Sequence, residues 1–178
     1  MSSSKNIFIL RGAPASGKGT ISQQLLDTVN GKAAYIELDM FRWGIHLQNR
    51  QVEDVSVVEH LLAYKNYLSV LENYLENGSY TIVTEGTFSW SKDGEHGVAK
   101  NIIELSNNYD YNVCSVLLYA DFEILWKRNL ERDYSVPENE FRDLYEYVMS
   151  EESEDDIKIN VGELSPHQTV EKILNYLT

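Results

Sequence analysis

The chain has 178 residues, 43% of them hydrophobic, and a formal net charge of −13 from 28 acids and 15 bases. That size and apolar content predict one folded domain with one core and exclude a disordered chain. The acidic balance disfavours long nucleic acid as a partner, because a protein that tracks phosphate backbones carries a basic surface.

No apolar run approaches the roughly 20 residues needed to cross a bilayer. No apolar segment of a secretory signal precedes the first strand. Cys114 is the single cysteine, which excludes intrachain disulfides and zinc ribbons. It lies in the apolar run 113–118, where a buried, inert thiol is expected. These features predict a cytoplasmic protein with no membrane partner, and they leave the oligomeric state open.

In chain order, the first strand is expected at about 6–10, carrying Ile7-Phe8-Ile9-Leu10. Gly12-Ala13-Pro14-Ala15-Ser16-Gly17-Lys18-Gly19-Thr20 follows and runs into a helix ending near residue 30, with Gly31 as its stop. This is the strand–loop–helix context of a P-loop. The glycines let successive N–H groups point inward as an anion nest, and the helix aims its positive end at the same point. Lys18 adds a cation for the β- and γ-phosphates, and Thr20 adds a hydroxyl. The nine residues 12–20 therefore predict a polyphosphate cradle of the kind that holds a nucleoside triphosphate, with no recognition of the base. The usual Mg²⁺-ligating hydroxyl directly after the lysine is replaced by Gly19, so the metal must depend more on water and on a distant carboxylate.

A second strand, 33–38, ends at Asp39, and a short helix carries Arg42 and Trp43. The pattern 55–76 is the longest helix, with Val58, Leu61, Leu62, Leu68, Leu71 and Leu75 on one face. Ser56 and Glu59 form its capping box and Gly78 its end. Its tyrosines Tyr64, Tyr67 and Tyr74 are expected at the core edge and helix surface. Strand three, 80–84, ends at Glu85-Gly86 and leads into a polar loop, 87–97. A helix at 98–106, a strand at 111–119 and a helix at 122–133 follow. Pro137 is placed in the first turn of a helix that ends near Met149. Strand five is 157–161, and Ser165-Pro166-His167-Gln168 opens the last helix with a serine cap, a proline and a capping-box glutamine. The acidic run 151–156 reads as a solvated segment.

Alternating strands and helices predict an α/β fold with a parallel sheet, helices on both faces and ligands at the carboxyl ends of the strands. That rule converges the P-loop, Asp39 and Glu85. Asp39 is the candidate base for an acceptor hydroxyl, or alternatively the N-cap of its short helix. Arg42 stands one turn away and can face the same pocket. Glu85 can hold Mg²⁺ through water, with Thr20 as the other metal candidate, or orient the acceptor. Arg128 and Arg132, four apart on a helix, share a face and can act as a lid that neutralises charge on phosphates. The histidines His46, His60, His96 and His167 show no metal-ligand spacing. Trp43, Phe88 and Trp90 either line an acceptor pocket or belong to the core.

These motifs resemble the P-loop kinases of the polynucleotide-kinase type, above all the phage 5′-kinase domain. The likeness rests on Gly12–Thr20, on the D-x-x-R set Asp39-Met40-Phe41-Arg42, on Glu85, and on the lid segment Lys127-Arg128-Asn129-x-x-Arg132 followed by Val136-Pro137. The tail is similar to the wider group of small-molecule and nucleotide kinases that includes zeta toxins and chloramphenicol phosphotransferases. The resemblance implies a P-loop NTPase fold with sheet order 2-3-1-4-5, one kinase domain over 1–178 and a helical lid at about 122–150. It implies that Asp39 is the general base, Arg42 binds the acceptor, and Arg132 contacts the ATP phosphates beside Lys18. The acceptor it implies is a hydroxyl on a small molecule, a nucleoside or a nucleic-acid end. Two other readings stand beside it: a nucleoside monophosphate kinase, suggested by the GKGT form of the loop, and a nucleotide-dependent switch without an acceptor.

Overall fold

A computed structural model describes residues 5–44, 56–92, 96–150 and 153–176. Its centre is a five-stranded, wholly parallel sheet of β1 (Asn6–Gly12), β2 (Ala33–Glu37), β3 (Thr81–Gly86), β4 (Asn112–Tyr119) and β5 (Ile157–Asn160). The spatial order is β2-β3-β1-β4-β5, as expected. β1 lies between β3 and β4 and is buried along almost its whole length. A central strand covered on both faces has no polar side to show, which is why its sequence reads as a continuous apolar run.

The helices are α1 (Lys18–Thr28), α2 (Leu38–Trp43), α3 (Val57–Asn77), α4 (Ala99–Asn107), α5 (Phe122–Leu130), α6 (Glu138–Met149) and α7 (Pro166–Asn175). Alternation along β1 divides the core. Phe8 and Leu10 pack with Leu25 of α1, Phe141 of α6 and Ile173 of α7, while Ile7 and Ile9 pack with Leu71 of α3 and Ile102 of α4. Among the described residues no helix is long and apolar enough to cross a membrane.

Both expected capping boxes form: Ser56 with Glu59, and Ser165 with Gln168. Several boundaries differ from expectation. Leu38 continues the apolar run of β2 but is the first residue of α2, and the N-cap of α2 is Glu37 rather than Asp39. α1 stops at Thr28, with Val29 already extended. α5 stops at Leu130, so Arg132 lies in the connection beyond it. Pro137 is the N-cap of α6 and not a first-turn residue. Tyr67 is fully buried and Tyr64 nearly so, deeper than the core-edge and helix-surface positions expected for them. Tyr67 shares a hydrogen bond with Thr84 at 2.6 Å, and Tyr64 donates to Val98 O at 2.9 Å, which satisfies both phenols inside the core. Cys114 is buried as expected, and desolvation pushes its thiol up to about 12.

The acidic run does not behave as one solvated segment. Asp156 is buried and receives the guanidinium of Arg11, with Arg11 Nε at 2.9 Å from Oδ2, while the Ser115 hydroxyl donates to Oδ1 at 2.6 Å. Arg11 is the last side chain before the P-loop and is fully buried. Its ion pair joins the end of β1 to the start of β5.

Candidate active site

Gly12 opens the P-loop where no side chain fits. A Cβ there would lie 2.6 Å from Leu118 O and 2.6 Å from Ser16 Oγ. Ala15 and Gly17 both take left-handed backbone, at φ 61° and 85°, which turns the loop's N–H groups inward as a nest. Gly17 is the N-cap of α1 and gives it no side-chain cap. No cap side chain of Gly17 occupies the first-turn amides, which fits them to receive an anion. Lys18 Nζ donates to Gly12 O at 2.9 Å and Ala13 O at 3.1 Å. Burial draws its ammonium below the ordinary lysine value, against the opposing fields of Glu85 and Asp39.

The loop forms one wall of a cavity of about 890 Å³. Lys18, Gly19, Thr20, Asp39, Arg42, Glu85, Arg128 and Arg132 all line it, so the three strand ends and the lid segment do converge on one space. Within the loop, Ala13 and Ser16 are buried. Pro14, Ala15 and Gly17 stand at the cavity wall, whereas Gly12 is packed behind it.

Asp39 sits in the first turn of α2 with its side chain 42% exposed toward the cavity. Arg42 Nη1 donates to Asp39 Oδ1 at 2.7 Å, the i,i+3 pair of one helical turn. One carboxylate oxygen is therefore fixed by Arg42. The lid arginines part company from the expected shared helix face. Arg128 Nη2 donates to Val161 O at 2.9 Å. Arg132 follows the end of α5, and its charge is felt at Lys18. The connection that carries Arg132 is pinned by Asn129, whose side chain donates to Val136 O at 2.8 Å and accepts from Val136 N at 3.0 Å. Asn129 is fully buried. Its place in K-R-N-x-x-R was visible, but its structural task was not.

Glu85, the last acid of β3, is buried, and one of its oxygens, Oε2, has no hydrogen-bond partner. Its Oε1 takes a close hydrogen bond from the Tyr35 hydroxyl, which also reaches Glu37 Oε2 at 3.1 Å. Glu37 and Glu85 are register partners on β2 and β3, so their side chains stand side by side on one face of the sheet. Burial raises both carboxyls above the usual range, and Asp39 raises Glu37 further. A phenol has one proton to give, so both contacts of Tyr35 are satisfied together when one of the two carboxyls keeps a proton.

Neither Tyr35 nor Glu37 was singled out by sequence. Phe88 is core, Trp43 lines the cavity, and Trp90 is partly buried against the core. His60 and His96 line the cavity together, with ring centroids 5.9 Å apart. His46, with the rest of 45–55, lies outside the described residues. Among the described residues no group of three or more His, Cys, Asp or Glu side chains is placed to hold a metal by itself.

A family model for zeta toxin matches residues 1–159. A curated relative, L-seryl-tRNA(Sec) kinase of Methanococcus maripaludis, is 28% identical over 142 residues, 79% of this chain. The chain spans about half the length of that relative, 51%. Among solved structures, shikimate kinase from Aquifex aeolicus superposes with a TM-score of 0.61 at 21% identity, over 96% of this chain and 95% of that one. A gluconokinase from Sinorhizobium meliloti 1021 gives 0.64 at 15% identity, over 97% and 91%. These structural likenesses carry the fold alone: a five-stranded parallel sheet with helices on both faces. With nine-tenths of its length matched, the chain belongs to the zeta toxin family.

Proposed function

We propose that this protein is an ATP-dependent kinase that transfers the γ-phosphate to a hydroxyl acceptor. The observation that carries this reading is the meeting of Lys18, the Asp39–Arg42 pair and Arg132 around one cavity. A nucleotide switch needs the first of these and none of the others.

The residues divide the work by position. The nest at 12–17 and the uncapped start of α1 hold the β- and γ-phosphates, and Lys18 leaves its resting carbonyls to reach them. Arg132, held by the Asn129 clamp, and Arg128 form the lid side and neutralise charge on the transferring group. Across the cavity Asp39 accepts the proton of the acceptor hydroxyl. The acceptor oxygen bonds to the γ-phosphorus as the bond to the bridging β-phosphate oxygen breaks. Arg42 keeps the Asp39 carboxylate oriented and binds the acceptor.

Mg²⁺, when bound, neutralises and orients the β- and γ-phosphates. The donor set fits it: Glu85 offers a buried oxygen without a partner, Thr20 stands on the cavity wall, and Mg²⁺ is ordinarily held by one or two carboxylates plus phosphate and water. Thr20 and Glu85 are its proposed holders. Residues 1–178 act in this reading as one kinase domain, with α5 and α6 as its lid.

The acceptor lies beyond Asp39, toward Trp43, His60 and His96. The resemblance to polynucleotide kinases keeps a 5′-hydroxyl end among the acceptors, while the net charge of −13 favours a small molecule. The test is γ-phosphate transfer from ATP with Mg²⁺, comparing a 5′-hydroxyl oligonucleotide with pooled small hydroxyl compounds, nucleosides and nucleoside monophosphates. Label in the hydroxyl pool or on the oligonucleotide supports the reading and names the acceptor class. Label only on monophosphates replaces it with a nucleoside monophosphate kinase, and ATP binding with no transfer to any acceptor overturns it in favour of a switch.

A further inference from the structure

The loop lacks a hydroxyl at residue 19, and the structure puts something else in that place. A Cβ built on Gly19 would lie 3.6 Å from Glu85 Oε1, an ordinary contact. The Glu85 carboxylate thus occupies the ground beside the first turn of α1 where a serine or threonine hydroxyl would stand. Next to it, Glu37 is brought into register by the β2–β3 pairing, and neighbouring strands are about 4.8 Å apart. Glu37 caps α2 only with its backbone; its side chain makes no capping bond. Both carboxylates line the cavity beside Lys18 and Thr20.

Two adjacent acids on a sheet repel each other when both are ionised. Tyr35 rises from β2 two residues before Glu37, and its hydroxyl lies within hydrogen-bond reach of both carboxyls, giving its one proton to one of them at a time. With Oε1 of Glu85 held by the phenol, Oε2 is left buried without a partner. An orphan carboxylate oxygen in such a place is unfavourable, and a cation beside the phosphate cradle would relieve it.

We propose that Glu37 and Glu85, clamped together by the Tyr35 hydroxyl, form a two-carboxylate site for a divalent cation that replaces the hydroxyl missing at Gly19. Tyr35 is a positioning residue here, not a ligand. The inference rests on the kinase reading of this cavity, since phosphate oxygens and water complete the coordination shell. It adds Glu37 and Tyr35 to the site and gives the departure at Gly19 a counterpart: the Glu85 carboxylate stands within ordinary contact of the place where a side chain would begin.

The test is the affinity of the whole chain for ATP by calorimetry, once with EDTA and once with Mg²⁺, together with Mn²⁺ binding followed by electron paramagnetic resonance at saturating ADP. The Tyr35→Phe variant keeps the ring and loses only the clamp. It is expected to weaken Mn²⁺ binding about tenfold or more, the usual effect of losing a group that orients a metal ligand, and to leave ATP affinity in EDTA within about twofold. Glu37→Gln is expected to do the same. Gly19→Ser placed in the Tyr35→Phe background is expected to return part of the lost Mn²⁺ affinity. Equal weakening of ATP binding with EDTA and with Mg²⁺ would make Tyr35 a merely structural residue and overturn the inference while leaving the kinase reading in place. Unchanged Mn²⁺ affinity in both variants would overturn it too. Failure of the wild-type chain to bind ATP at all would bring down the kinase reading and the inference together.

Discussion

Arg11 and Asp156 make the sharpest energetic prediction. Arg11 is fully buried at the end of β1, and its guanidinium has Asp156 as its charged partner, with Val148 O at 3.5 Å and the Trp90 ring 5.9 Å from its central carbon. Asp156 in turn accepts from Ser115. Replacing Arg11 by Met keeps most of the volume and removes the cation, which leaves a carboxylate buried at the sheet edge. Breaking a buried pair from one side costs about 3–5 kcal/mol. With a urea slope of about 2 kcal/mol per molar for a chain of this kind, the midpoint should fall by about 2 M. The double variant Arg11→Met with Asp156→Asn removes both charges and keeps an acceptor for Ser115. It should recover at least half of that loss, a coupling of about 2 kcal/mol. Urea unfolding followed by tryptophan fluorescence measures both. A single-variant loss under about 1 kcal/mol, or a double variant no more stable than the single, would refute the account of this pair.

Asn129→Ala should loosen the connection that carries Arg132 by removing two hydrogen bonds, costing about 1–3 kcal/mol; with folded protein retained, ATP binding should weaken several-fold, measured by calorimetry. Ala15→Gly should raise stability by about 0.5–1 kcal/mol, because Ala15 holds φ 61° at a cost of about 1–2 kcal/mol and glycine returns part of that gain as unfolded-state entropy; thermal melts read it. Cys114 should resist a thiol reagent at pH 8 in the native state and react at once in urea, since its thiol is buried and pushed up to about 12.

The parts of this fold that were legible in sequence are those encoded locally. The apolar run, the glycine spacing and the helix start at 7–21 are contiguous, and both capping boxes span only four residues. The alternation of strands and helices then fixes a parallel sheet through the handedness of its crossovers. Errors arose where a local signal continued past its element. Leu38 is apolar and extends the β2 pattern, yet the chain already turns as α2. Glu131 keeps helical backbone after α5 has ended, so nothing marked the stop before Arg132.

The most consequential features missed are pairs brought together by register. Arg11 and Asp156 are 145 residues apart, and no local pattern joins an arginine in an apolar strand to one acid among six charged or polar neighbours. Glu37 and Glu85 meet because β2 pairs with β3 in one register, and β3, buried along its whole length, carries no alternation to announce that register. Tyr35 looked like an ordinary strand residue because the carboxyl it meets on β3 lies 50 residues on. Lys18 and Asp39 were legible as candidates because they follow strand ends, where the fold places its ligands; Arg42 stands one turn on, and Arg132 entered through the lid segment it shares with Arg128.

The central claim is that Asp39 serves phosphoryl transfer and not nucleotide binding. It is tested most directly by comparing the wild-type chain with Asp39→Asn on the same two measurements: ATP affinity, and γ-phosphate transfer to the acceptor that labels in the panel. The account predicts ATP affinity within about threefold of wild type and transfer reduced at least a hundredfold, the lower range for loss of a general base. Transfer at the wild-type rate in Asp39→Asn, with ATP bound normally, would contradict it.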